Sequence, residues 1–131
     1  MMTMSKILEY EYIVDSIYGV YLDSVSGFRE VLKRFEVSQM DTLRSLKKTN
    51  PELSTIEYLD STAMFYGRGD PNSPESKFLH RTTQKDFKER NRKNGPNHMF
   101  IGNMALVTLY QYWEDHYREQ IANELGIKKA E

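Results

Sequence analysis

The sequence has no cysteine among its 131 residues. Disulfide frameworks, thiol nucleophiles and cysteine-ligated metal sites are therefore excluded. It also lacks any apolar run near the ~20 residues that a membrane-spanning helix needs. The N-terminal stretch "MMTMSKILEYEYIV" places acidic residues within its apolar run, which is not typical of a signal peptide. We therefore expect a cytoplasmic protein that does not associate with a membrane.

Net charge is also nearly absent. The 18 lysines and arginines face 19 acidic residues, which gives a net charge of −1 and predicts no bulk attraction to nucleic acid. Hydrophobic residues make up 39% of the chain and aromatic residues 12%, as in an ordinary globular protein. The length fits a single domain, 1–131.

Apolar residues recur every three or four positions through the N-terminal part of the chain. They are Ile7, Tyr10, Val14, Ile17, Tyr21, Val25, Phe28, Leu32 and Phe35. This spacing predicts one amphipathic helix over about 5–36, with Ser5 as its N-cap.

A second long helix is predicted after "NGPN", over about 98–125. Its apolar stripe is formed by Leu106, Tyr110, Trp113, Tyr117 and Ile121. Asn97 is a suitable N-cap, and Gly126 is a stop signal. Two long helices at opposite ends of the chain favour an antiparallel pair. We therefore predict an all-α fold, an up-and-down helical bundle with shorter helices between the long ones, in which Trp113 is largely buried.

The middle of the chain gives shorter signals. "SQMDTLRSLKKTNP" predicts a helix that ends at Asn50-Pro51. "STIEYLDSTAMF" favours a short helix, although its β-branched and aromatic residues leave a strand open. "YGRGDPNSPES" is typical of a loop, and "TTQKDFKERNRK" predicts a polar helix closed by Asn94-Gly95-Pro96.

Positive charge is concentrated in one segment. Residues 77–93 contain seven lysines and arginines against two acids, about +5 in a chain that is neutral as a whole. Such local charge can hold the phosphates of RNA. The candidate phosphate-binding residues are Arg81, Lys85, Lys88, Arg90 and Lys93. The alternative is a polar helix with solvated cations.

Arg92 and His98 are the candidate catalytic pair. If Asn97 caps the helix, His98 lies in its first turn, where the helix dipole disfavours imidazolium and a neutral ring can act as a general base. Arg92 could hold the phosphate under attack. The alternative is a helix-start histidine and a surface arginine. No histidines have metal-motif spacing, so we predict no metal and no cofactor.

The Arg92-x5-His98 spacing on a helical scaffold resembles the HEPN superfamily, and the helix "LVTLYQYWEDHYREQIANELG" resembles one found in HEPN-like families of prokaryotic defence and toxin systems. The resemblance covers about residues 81–126. It implies a metal-independent ribonuclease whose two protomers share one RNA-cleaving cleft. Lys93 stands where family nucleases usually place a polar residue such as asparagine after the arginine.

Two functions follow as predictions. The first is a HEPN-like ribonuclease or toxin of a defence or toxin–antitoxin system, acting through Arg92 and His98. The second is a non-catalytic helical module that binds RNA or a partner protein and lacks a complete nuclease site. A homodimer is expected in either case, because the aromatic content exceeds what a small bundle core must hold. An antitoxin or another protein is a further candidate partner.

Overall fold

The computed structural model describes residues 5–127, and most of them are helical. Five α-helices and two β-strands follow one another along the chain. In order they are α1 (Lys6–Thr49), α2 (Ile56–Ser61), β1 (Ala63–Arg68), β2 (Lys77–Thr83), α3 (Gln84–Asn91), α4 (Pro96–Tyr112) and α5 (Arg118–Glu124). A 3-10 turn, Pro51–Leu53, precedes α2, and a π-helical turn, Trp113–Tyr117, joins α4 to α5. In this part of the chain no helix is both long enough and apolar enough to cross a membrane.

The first helix is longer than predicted. Ser5 caps it as expected, since its Oγ accepts a hydrogen bond from the Leu8 N–H at 3.2 Å. The helix then passes the predicted end at residue 36 and absorbs the helix predicted separately before Asn50. No glycine or proline occurs in residues 28–50, so nothing in the backbone breaks the helix before Pro51.

The all-α prediction is wrong in one respect, because β1 and β2 form an antiparallel hairpin. The register pairs Ala63 with Thr83 and Arg68 with Lys77, with an irregularity between Tyr66 and Gly67. The turn-rich segment after β1 brings the two strands together, as its glycines and prolines allow. The short helix predicted within "STIEYLDSTAMF" is present as α2, and only the last three residues of that stretch, Ala63-Met64-Phe65, belong to β1.

The described contacts divide the chain into two compact units. One comprises Met1–Gly27 and Met99–Glu131, and the other comprises Phe28–His98. The prediction of one domain over 1–131 stays a prediction.

In the first unit, the start of α1 packs antiparallel to the C-terminal helices. The Lys6 backbone N–H donates to the Glu124 carboxylate at 2.6 Å, and the Tyr10 hydroxyl donates to the Leu109 carbonyl at 3.3 Å. The Tyr10 ring lies 5.4 Å from the ring of Trp113, centroid to centroid. Trp113 is half-buried, so the prediction that it would be largely buried is met only in part.

The apolar stripe predicted for the second long helix is wrong over α4. Leu106 and Tyr110 are 68% and 64% exposed. The side that faces α1 instead carries Ile101, Gly102 and Ala105. Because α4 is apolar on nearly every side, periodicity alone does not select the packed face, and the small residues Gly102 and Ala105 let α1 approach.

The second unit has a small core with a polar cluster beside it. Leu43 and Leu59 are buried, and the rings of Phe35 and Phe87 pack at 4.7 Å. Buried Gln39 links three elements, because its Nε2 donates to an Asp60 carboxylate oxygen at 3.1 Å and to the Gln84 side-chain oxygen at 2.8 Å. These contacts fix α3 against α1 and α2, and α3 leads directly into the candidate site.

Candidate functional site

The candidate site is built on the tight turn between α3 and α4. Asn94 has a left-handed backbone (φ 62°), a conformation that asparagine tolerates better than most residues. The Gly95 N–H donates to the Arg92 carbonyl at 2.8 Å. A Cβ at Gly95 would lie 2.9 Å from that carbonyl oxygen and closer still to the Glu89 carbonyl oxygen. Glycine is therefore required here for close backbone approach, while asparagine takes the left-handed position expected of the glycine.

A pair of asparagines locks this turn. Asn91 is 6% exposed, and its side-chain Nδ2 donates to the Phe87 carbonyl at 2.9 Å. Its Oδ1 accepts from the Asn97 side chain at 3.1 Å. Asn97 thus lies inside the first turn of α4, with Pro96 as the first helical residue, and the prediction of Asn97 as N-cap is wrong by a position or two. Both amides hold the end of α3 to the start of α4.

His98 is the third residue of α4. Its Nδ1 accepts a hydrogen bond from the Asn94 backbone N–H at 3.3 Å, and its ring lies 5.8 Å from the ring of Phe28. Its Nε2 is buried and has no hydrogen-bond partner in the described part of the chain. In a neutral imidazole the accepting nitrogen carries no proton, so the proton is on Nε2. Neither nitrogen is therefore free to accept a proton from a substrate in this conformation.

A cavity of about 320 Å³ brings the two predicted catalytic residues to one place. Its polar lining consists of Arg29, Glu36, Asn91, Arg92, Lys93 and His98. Three of these side chains are cationic and only one is acidic, so the cavity is suited to an anion. Arg92 caps the C-terminus of α3 and is exposed, as is Lys93. We call this the basic cavity.

Lys88 lies outside the basic cavity and has another partner. Its Nζ lies 2.7 Å from the Asp60 carboxylate, and the two side chains are only 14% and 21% exposed. Burial raises the pKa of Asp60, but the hydrogen bonds from Lys88 and Gln39 outweigh it, so the pKa lies below its ordinary value. Lys88 therefore belongs to the packing of α3 against α2.

The remaining predicted cations are dispersed. Arg81 and Arg90 line a second cavity of about 350 Å³ together with His80, and the acids Asp86 and Glu89 line it as well. The Arg90 guanidinium also donates to the Thr82 hydroxyl at 3.4 Å. Lys85 is exposed on α3 and lines neither cavity. Of the five predicted phosphate-binding residues, Lys93 alone lines the basic cavity with Arg92 and His98.

Sequence reasoning missed the contribution of α1 to this site. Arg29 and Glu36 line the basic cavity from α1, about sixty residues away in the sequence. They stand in an ordinary charged helix face, and no local motif distinguishes them. Their spacing of seven residues, two helical turns, places both on one side of α1 and is the only signal that could have grouped them.

No group of three or more histidine, cysteine or acidic side chains in residues 5–127 is arranged to hold a metal ion. No family model matches the chain, and neither a curated protein nor a solved structure matches it significantly. The resemblance to the HEPN superfamily therefore stays a prediction.

Proposed function

We propose that this chain is a helical RNA-binding module whose basic cavity holds a phosphate of the RNA backbone without cleaving it. The observation that carries the proposal is the convergence of Arg29, Arg92 and Lys93 on one cavity. An arginine guanidinium can donate two parallel hydrogen bonds to a phosphate, and a lysine adds a mobile point charge. Cations dispersed along a surface helix would not meet at one cavity in this way.

The state of His98 supports binding over cleavage. A general base for attack by an RNA 2′-hydroxyl needs an unprotonated nitrogen within hydrogen-bond reach of that hydroxyl. Nδ1 of His98 is already engaged by the Asn94 N–H, and Nε2 is covered. In this arrangement His98 anchors the turn that presents Arg92 and Lys93.

The second candidate function is the metal-independent ribonuclease of a toxin or defence system. It is favoured by one observation, that Arg92 and His98 line the same cavity. For this function His98 would have to release Asn94 and turn a free nitrogen toward the bound RNA. A partner such as an antitoxin would then act by covering the cavity.

A homodimer is part of the proposal. Among the described residues few apolar side chains are buried: Leu43 and Leu59 in one unit and Ile121 in the other. The side of α4 turned away from α1 is open and mostly apolar, with Asn103 among its exposed residues. The exposed apolar residues of this side are Met99 (57%), Phe100 (67%), Leu106 (68%), Val107 (48%) and Tyr110 (64%). We call this the outer face of α4. A second copy of the chain is the occupant we propose, because a self-complementary helix face is the usual basis of two-fold pairing.

The function is tested by anisotropy with fluorescein-labelled single-stranded RNA of about 12 nucleotides, in EDTA and low salt. Wild type should bind the RNA and leave it uncut. Arg92→Ala should weaken binding about 10-fold through loss of a charge-assisted contact. Lys48→Ala, at the exposed end of α1, is the matched control and should change little. Cleavage by wild type that His98→Ala abolishes would establish the ribonuclease instead.

A further inference from the structure

The hairpin carries an exposed aromatic pair beside a cation. Phe65 and Phe78 are 65% and 63% exposed, and their rings lie edge to face with centroids 5.7 Å apart. Arg81 is the cross-strand partner of Phe65, and its guanidinium carbon lies 5.9 Å from the Phe65 ring centroid. Because paired residues of antiparallel strands point to the same side, all three side chains share one face of the hairpin. We call it the aromatic face.

The backbone of β1 keeps one flank of this face open. Phe78 pairs across the strands with Gly67, so no side chain stands opposite its ring. The register irregularity between Tyr66 and Gly67 sets this pairing. A Cβ at Gly67 would lie 3.4 Å from the Lys77 carbonyl oxygen, at the edge of van der Waals contact. A flat ligand could therefore lie against the Phe78 ring without displacing a neighbour.

The charge of the hairpin indicates what kind of ligand fits. The two strands contain Arg68, Lys77 and Arg81 and no acidic residue, while Asp70 and Glu75 stand in the connecting turn. Of these cations, Arg81 lies on the aromatic face, whereas Arg68 and Lys77 pair with each other at the next register position and lie on the opposite face. Two exposed aromatic rings beside a cation match a polymer that alternates flat rings with phosphates. An apolar peptide would gain nothing from the Arg81 cation.

We propose that the aromatic face stacks on the unpaired bases of a single-stranded nucleic acid. The proposal rests on the proposed function for the nature of the ligand and deepens it. Binding of a phosphate in the basic cavity does not discriminate between single-stranded and double-stranded RNA. Stacking on Phe65 and Phe78, in contrast, requires bases that are not paired in a duplex. The preferred ligand is therefore single-stranded RNA, bound through both its phosphates and its bases.

The test compares two probes on the 131-residue chain. One is a labelled single-stranded oligoribonucleotide of about 12 nucleotides, and the other has the same backbone with abasic residues throughout. Phe65→Leu and Phe78→Leu should each weaken binding of the base-bearing probe by about 5- to 100-fold. Both should leave binding of the abasic probe unchanged. Leu79→Ala, which removes a 61% exposed apolar side chain from the same hairpin, should change neither.

Three outcomes would overturn the inference. Equal affinity of wild type for the two probes would show that bases are not contacted. Equal losses for Phe65→Leu and Leu79→Ala would show a general apolar effect. A shift in molecular mass with either phenylalanine variant, with RNA affinity unchanged, would assign the face to a protein contact. Failure of the proposed function would give a different result. Arg92→Ala would then bind both probes as tightly as wild type, while Phe65→Leu and Phe78→Leu would still bind the base-bearing probe more weakly.

Discussion

Removing the ammonium group of Lys88 should lower the stability of the protein and leave its RNA affinity nearly intact. Lys88→Met keeps most of the alkyl chain and deletes the charge that lies 2.7 Å from Asp60. The carboxylate then keeps Gln39 as its donor, at 3.1 Å. A hydrogen bond to a charged group contributes about 1.5–3 kcal/mol, and a fully buried ion pair costs more to break. Because both side chains retain some access to water, we expect a loss of about 1.5–3 kcal/mol.

The pH dependence of this loss follows from Asp60. The pKa of Asp60 is lower in the folded chain than in the unfolded chain. The ionised carboxylate therefore stabilises the fold fully at a pH above its unfolded-state pKa, and this stabilisation is lost as the pH falls through its folded-state pKa. The gap in unfolding free energy between wild type and Lys88→Met should thus be full at neutral pH. It should narrow as the pH falls through the folded-state pKa of Asp60, below which the carboxyl group is protonated in both proteins.

Urea denaturation followed by circular dichroism measures this difference in unfolding free energy. In thermal unfolding, the Tm of Lys88→Met should lie about 5–15 °C below that of wild type for a chain of this size. Lys85→Met is the matched control, since it removes the same charge from an exposed position on α3 and should cost less than about 0.5 kcal/mol. Equal destabilisation by the two variants would refute the reasoning. So would a large loss of RNA affinity by Lys88→Met with stability unchanged, which would return Lys88 to the phosphate-binding surface.

The other predictions concern the turn, the dimer and the chemistry. Gly95→Ala should destabilise the protein by about 1–3 kcal/mol in urea denaturation, because the added Cβ would clash with two backbone carbonyl oxygens. Gly27→Ala is the control, since Gly27 lies on open helix surface, and it should be neutral or stabilising by up to about 1 kcal/mol. Leu106→Glu should convert the dimer to a monomer, as measured by light scattering. Leu22→Glu is the control, because it changes a 46% exposed site on α1, and it should leave the dimer intact. A monomeric wild type would contradict this prediction. His98→Ala should leave RNA uncut, as wild type does, and lower stability slightly; loss of a wild-type cleavage activity would contradict that expectation.

The helical content could be predicted from the sequence because burial in these helices follows a regular period. Every residue of the stripe from Ile7 to Phe35 is half-buried, as the spacing indicated. The packed face of α4 could not be predicted, since Leu106 and Tyr110 are as apolar as the residues that do pack. The packed face of α4 is determined by tertiary contact at Gly102. The Tyr21 ring lies so close to this glycine that an added Cβ would be in van der Waals contact with it.

The candidate site shows the same division. Arg92 and His98 are six residues apart across one turn, and their proximity is a local property that the sequence indicates. Arg29 enters from a different helix through tertiary packing, which no local spacing encodes. The role of Lys88 also depends on where Asp60 lies in the fold. The sequence does not show this ion pair, so Lys88 was predicted among the phosphate-binding residues.

The central claim is that the basic cavity binds a backbone phosphate, and the salt dependence of RNA binding tests it most directly. The comparison is between Arg92→Ala/Lys93→Ala and Lys47→Ala/Lys48→Ala, which removes the same charge from the exposed end of α1. Because both side chains contact the same phosphate, the cavity double variant should reduce the slope of log affinity against log salt by about 0.7, the value for one phosphate of a single strand. The control should keep the wild-type slope. Equal slopes for the two double variants would contradict the account.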